Sequence, residues 1–218
     1  MIRIKSDVFV FFTTGPVRKP MSDEISALFE KVRTCRICAD AQNPLPHAPN
    51  PVFQMSPSAR LLIAGQAPGN LVNISGRPFT DPSGDRLRDW MGIDSDTFYD
   101  VSKVAILPMG FCFPGYTPKG ADKPPRKECA SAWREQMLTI LTQSRFTLLI
   151  GGYAQKWHLG DRYAGSVAGT VQNWRDYLPE YFVLPHPSWR NNAWLKKNIW
   201  FERELVPELR TYVRAALS

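Results

Sequence analysis

LLIAGQAPGNLVNISGRPFTDPSGDRL, residues 61–87, is the stretch that decides the fold. An apolar run stops at Gly65, Pro68 and Gly69, the pattern of a buried strand feeding a tight turn. In GQAPG the two glycines have no Cβ and Pro68 fixes the turn between them, so Gly65, Gln66, Ala67, Pro68 and Gly69 can bring backbone close to a ligand. A plain structural turn after a strand is the other reading. No GK[ST] follows, so this is not a P-loop, and it is not a dinucleotide fingerprint. The sequel, Gly76 through Phe79 and then Thr80 and Asp81, puts an aromatic ring and a carboxylate on one loop. A Phe between Pro78 and a polar cluster is placed to stack on a flat heterocycle. Ser83 is expected to cap a short helix that buries Leu87, Trp90 and Met91 and stops at Gly92.

The counterpart lies downstream in LPHPSWRNN, residues 184–192. His186 sits between two prolines just past an apolar run, which restricts its backbone and suits a fixed hydrogen-bond donor to a developing anion. Ser188, Trp189, Arg190 and Asn191 follow, a mixture suited to phosphate contact and to a wedge in a base stack, or to an ordinary solvated loop. His47 and His158 lack such a setting and read as structural or surface residues.

Apolar runs predict strands at 60–64, 101–107, 146–150 and 181–184. Helical spacing predicts a helix from Ser22 to near Cys35, a long one from Arg126 carrying Ala130, Trp133, Met137, Ile140 and Leu141, a short one around 154–157, and a last one on Leu205, Leu209, Val213 and Ala216 that Pro207 kinks or restarts. Residues 39–58 hold five prolines and no periodicity, a loop that is tied down or functional. Alternating strands and helices predict a single α/β domain, a central, mainly parallel four-stranded sheet with helices on both faces, over residues 21–218. Residues 1–20 are expected to be a flexible N-terminal extension. Ligands bind beyond the carboxyl ends of such strands, where the unusual loops fall.

The formal charge of +7 and a pI near 9.4 favour polyanionic partners. No apolar run approaches the roughly 20 residues of a membrane span, and no secretion signal is evident, so a cytoplasmic monomer is expected. Four cysteines in such a chain read as ligands, redox groups or small buried hydrophobes rather than disulfides. Cys35-x2-Cys38 alone suits zinc or redox chemistry, and Cys112 and Cys129 alone suit a core.

With these residues in view the chain resembles the uracil-DNA glycosylase superfamily, and within it the four-cysteine branch that usually carries an iron-sulfur cluster. The family pattern GEAPGxxEDxxGRPF lies without gaps on Gly65 to Phe79, and HPS lies on His186, Pro187 and Ser188. The resemblance implies that Phe79 stacks on an extruded uracil and that His186 donates to uracil O2 as the glycosidic bond breaks. It also implies that Gln66 and Ala67 contact the base, and that Ser188, Arg190 and Asn191 grip the DNA. Cys35, Cys38, Cys112 and Cys129 would hold a structural 4Fe-4S cluster, with zinc or no metal as alternatives. Water would then attack the sugar and leave an abasic site.

The chain departs from that pattern at defined places. Gln66, Val72 and Asn73 stand where the family has acids, which leaves Asp81 as the nearest carboxylate and substitute catalytic group; an Asx cap is its structural alternative. The Asn that usually reads the uracil edge is replaced within ILPMGFCFPG, which shifts base reading to backbone around Pro108, Met109 and Gly110. A glycosylase for another deaminated base, such as xanthine or hypoxanthine, and a non-catalytic binder of uracil or damaged DNA remain as other readings.

Overall fold

The computed structural model describes residues 22–218, so the expectation for residues 1–20 lies outside the described residues. Four strands, β1 (Leu61–Ala64), β2 (Val104–Ile106), β3 (Phe146–Ile150) and β4 (Tyr181–Leu184), form one all-parallel sheet in the order β2-β1-β3-β4. Their near-continuous apolar sequences follow from burial on both faces. Alternate residues serve different layers. Leu61, Ile63, Val104 and Ile106 join a core with Leu87, Trp90, Leu209 and Val213, whereas Leu62, Ala105 and Leu107 face Phe29, Val32 and Met137.

The first layer contains α3 (Pro82–Met91) and α10 (Val206–Leu217). The second contains α1 (Asp23–Arg33), capped by the Ser22 hydroxyl, and a helix built in three pieces, α5 (Lys127–Cys129), a π-helical turn (Ala130–Arg134) and α6 (Glu135–Leu138). That helix stops at Leu138, so Ile140 is buried from the following turn rather than from a continuing helical stripe. α7 (Gly151–Leu159) and α8 (Val167–Gln172) join β3 to β4, and α9 (Asn192–Lys197) precedes the π-helical turn Phe201–Leu205 that leads into α10. Pro207 lies in the first turn of α10, directly after the π-helical turn and with helical backbone on both sides, so the helix is neither ended nor restarted there.

Three differences from the expectations have local causes. β2 begins at Val104 because Asp100 builds a turn, accepting from the Ser102 amide and hydroxyl at 2.9 and 2.6 Å. Residues 70–75 form a helix, α2 (Asn70–Ser75), between extended Gly69 and left-handed Gly76, with α4 (Ser95–Tyr99) a further short helix after α3. Asp81, not Ser83, takes the N-cap position of α3, and its carboxylate makes no capping bond to backbone. The Pro-rich loop 39–58 is tied down as expected. Gln54 bridges to Ile106 through both backbone bonds and donates its amide to the carbonyls of Phe98 and Val104 at 3.0 and 2.8 Å.

Candidate active site

At the carboxyl edge of β1 and β2 a cavity of about 90 Å³ is lined by Gln66, Phe79, Asp81, Ser83, Asp122 and His186, with Gly65, Ala67, Pro68, Gly69 and Pro108 supplying backbone wall. One water needs roughly 10–15 Å³, so this is the space of a small ring rather than of a single solvent molecule.

Phe79 holds its ring in this wall at a conformational cost. Its φ is 54°, a left-handed value that is uncommon for a bulky residue and costs about 1–2 kcal/mol. Neighbours fix it: the Tyr99 hydroxyl donates to the carbonyls of Pro78 and Phe79 at 2.9 and 3.1 Å, and Arg88 Nη1 donates to the Phe79 carbonyl at 3.3 Å. Phe98 packs edge-on at 6.1 Å. Gly84 makes room, because a Cβ there would stand 1.8 Å from the Phe79 carbonyl oxygen. Strain of this kind gathers where a side chain must be aimed.

His186 is half-buried and carries a pKa below the usual histidine value. Burial lowers it most, the carboxylates of Asp81 and Asp122 oppose that, and Arg190 adds to the lowering. The ring is therefore neutral at pH 7 and offers an N–H rather than a full charge. The Ser83 hydroxyl lies 2.9 Å from each oxygen of Asp81, which orients that carboxylate in the wall. Asp122 was not expected from the sequence. It comes from the Gly/Pro-rich excursion 108–125, far from both motifs, and only the fold brings it beside Gly69 and His186. Among the described residues Gln66 is the one side-chain amide in the lining, 3.5 Å from the Lys123 carbonyl on the same excursion.

Met109 and Gly110 are held differently from the expectation that their backbone reads a base. The Met109 amide donates to Gly65 at 2.9 Å and the Gly110 amide to Gln66 at 3.0 Å, so both N–H groups are used in bracing the GQAPG turn. The carbonyls of Leu107 and Pro108 accept from Arg134 Nη1 at 3.1 and 3.0 Å. Arg134 is 1% exposed and has no carboxylate partner among the described residues. Burial lowers its pKa to about 10, where it still carries its charge at neutral pH. Its Nη2 lies 2.6 Å from His158 Nε2, and burial with the Arg134 charge pushes His158 down to about 3, leaving a neutral ring that accepts. Sequence patterning assigns an Arg to the surface and could not have found this one.

The loop after His186 is closed from within. The Asn191 amide donates to the His186 carbonyl at 2.6 Å, and Arg86 Nη1 donates to the Ser188 carbonyl at 3.1 Å and to Asn192 Oδ1 at 2.8 Å. The Ser188 hydroxyl accepts from the Arg190 amide at 3.2 Å. Arg190 is exposed, and Trp189 beside it is 72% exposed.

Cys35, Cys38, Cys112 and Cys129 line a second, smaller cavity and are all free thiols. Trp133 Nε1 donates to Cys35 Sγ and the Phe111 amide to Cys129 Sγ, both at 3.3 Å; the Asn50 amide bonds to Cys112, and the Arg126 guanidinium faces Cys38. Burial pushes Cys112 and Cys129 up to about 12 and raises Cys38, so these groups stay protonated unless a cation joins them. Among the described residues, no group of three or more His, Cys, Asp or Glu is disposed to hold a single metal ion. No helix among them is long and apolar enough to cross a membrane.

The ring of Phe79, the half-buried neutral His186 and the carboxylates of Asp81 and Asp122 converge on one ring-sized cavity at the carboxyl edge of a parallel α/β sheet. The chain belongs to the uracil DNA glycosylase superfamily, whose family model matches residues 52–210. The match spans the GQAPG and HPS segments, Cys112 and Cys129, and leaves Cys35 and Cys38 outside it. Membership points to DNA as the partner and to a DNA glycosylase as the type of protein.

Proposed function

We propose that the protein excises uracil from DNA by hydrolysing its N-glycosidic bond. The observation that carries this reading is the juxtaposition of Phe79, neutral His186 and the carboxylates Asp81 and Asp122 around one ring-sized cavity. The extruded base stacks on Phe79, and Gln66, whose amide can both donate and accept, reads its edge in place of the missing Asn. As the bond to C1′ breaks, the electron pair leaves with the base. His186 donates a hydrogen bond to the charge that develops on the carbonyl oxygen; removing a donor of this kind costs about 10²–10³ in rate. The sugar becomes cationic, and a carboxylate beside it stabilises that charge and orients a water. The water oxygen bonds to C1′ and its proton passes to the carboxylate, leaving an abasic site and free base. Arg190 takes a phosphate, Trp189 enters the gap left by the base, and Asn191 acts by closing the loop behind His186.

Two carboxylates in the cavity favour turnover over capture without chemistry, and α2 (Asn70–Ser75) contains no His, Lys or Arg for a covalent link to DNA. The test is base release from oligonucleotides carrying uracil, hypoxanthine or xanthine, with wild type beside Asp81→Asn and Asp122→Asn. Uracil release that falls in at least one Asp variant is expected. Release of hypoxanthine or xanthine alone would move the substrate to another deaminated base, and tight binding with intact substrate would leave only a binding role.

We further propose that Cys35, Cys38, Cys112 and Cys129 hold a 4Fe-4S cluster. Donors facing each sulfur suit thiolates in a cluster, where such bonds tune the site. The cluster would tie the end of α1 to the 108–129 segment. Iron and sulfide in the purified protein, lost in Cys112→Ser, are expected; stoichiometric zinc without iron would contradict it.

A further inference from the structure

Beside the base cavity runs a second, open groove of about 780 Å³ that no step of the proposed reaction uses. Its walls continue the cavity on both sides. Pro108 lines the cavity and Met109 lines the groove, while a Cβ on Gly110 would meet Pro125 of the groove wall at 3.1 Å. On the other wall a Cβ on Gly151 would stand 4.0 Å from His186 Cβ, and Tyr153, two residues on, lies in the groove. The groove thus adjoins the cavity at Pro108–Met109 and near His186, where a strand that leaves a base in the cavity would continue.

The lining has the chemistry of a single-strand track. Tyr153 and Trp157 are 43% and 40% exposed, on α7. Trp157 is set as a platform: the Arg134 guanidinium lies 4.9 Å from the centre of its ring and His158 packs edge-on at 4.6 Å. A ring held this way loses little freedom when a base stacks on its open side. Arg126 is tied to Glu128 at 3.2 Å, whereas Lys127 and Lys156 have no carboxylate partner among the described residues and face a single lining acid, Glu135. The Lys156 ammonium also lies 5.5 Å from the centre of the Tyr163 ring. Stacking rings beside cations recognise unpaired bases and their phosphates without regard to sequence.

We infer that this groove binds single-stranded DNA flanking the extruded nucleotide, with bases on Tyr153 and Trp157 and phosphates on Lys127 and Lys156. The inference takes its choice of DNA from the proposed function, but its test needs no base release. The probe is a labelled, uracil-free single-stranded oligonucleotide, titrated with the full chain by fluorescence anisotropy over a range of NaCl. Tyr153→Ala with Trp157→Ala is expected to weaken binding on the order of 10- to 100-fold, the loss of one or two stacked bases. Lys127→Ala with Lys156→Ala is expected to lower the slope of log affinity against log salt by about 1.4, two single-strand phosphate contacts. The lysine pair is exposed, so this second variant carries the test even if the aromatic pair disturbs α7. Unchanged affinity and slope in both variants would overturn the inference, as would an effect confined to duplex DNA. Intact uracil in the release assay, with these losses still present, would instead refute the glycosylase reading and leave the groove standing.

Discussion

Gly84→Ala is a one-carbon test of how the stacking ring is held. Gly84 lies inside α3, where alanine is ordinarily the better residue by about 1 kcal/mol. Here the added Cβ would lie 1.8 Å from the Phe79 carbonyl oxygen, 2.7 Å from its carbonyl carbon and 2.9 Å from its Cβ. Ordinary carbon–oxygen contact is about 3.3 Å, so the Phe79 backbone must retreat by roughly 1.5 Å. The obstacle is backbone rather than a flexible side chain, and that backbone is pinned by Tyr99 and Arg88. Overpacking costs about 1–3 kcal/mol, partly offset by the gain in helix propensity, so the variant should fold with a net loss of roughly 1–2 kcal/mol. Misplacement near 1 Å at a reacting site costs on the order of 100-fold in rate. The assay pairs urea unfolding with base release from a uracil oligonucleotide. A variant that is more stable than wild type and equally active would show that α3 does not constrain Phe79 as described.

Other outcomes follow from the same geometry. Because His186 titrates below its usual value, kcat/KM should hold down to pH 6.5 and fall only below it; since Asp81 and Asp122 raise that pKa, Asp122→Asn should move the acid limb to still lower pH, and an upward move would contradict the assignment. Arg134→Met leaves the Leu107 and Pro108 carbonyls without their donor and should cost about 2 kcal/mol in urea unfolding, with slower base release; Arg134→Lys should restore only part of either. His158, held near 3 when folded, binds its proton more readily when unfolded, so its share of stability is complete above pH 6.5 and declines as pH falls toward 3. By pH 5 about 2 kcal/mol of it has been lost, which should appear as a shallower pH dependence of stability in His158→Gln.

The strands at 146–150 and 181–184 were legible to the residue because each is a compact apolar run bounded by polar or turn residues, and a parallel sheet buries both faces. The strand near 101 was not, since Val101 reads as strand while the Asp100 turn, made of side-chain bonds, postpones pairing to Val104. His186 could be picked out because it follows a strand end, and Phe79 and Asp81 because an aromatic and a carboxylate share the loop after the GQAPG motif. Asp122 could not, because nothing local distinguishes one Asp in a Gly/Pro-rich excursion until the chain folds back on Gly69. Arg134 was hidden for a different reason: its burial depends on two carbonyls and a neutral histidine contributed by other elements. The motifs carried the family, and the folded chain added Asp122 and Arg134 to the residues that the sequence had singled out.

In the proposed reaction a neutral His186 and the ring of Phe79 act on one base. Single-turnover release of uracil from a single-stranded oligonucleotide, at pH 7.5, tests it most directly with wild type, His186→Ala and Phe79→Ala side by side. Free uracil from wild type and a loss of about 100-fold or more in His186→Ala are predicted. Undiminished release in that variant, or no release by wild type from any uracil substrate, would contradict it.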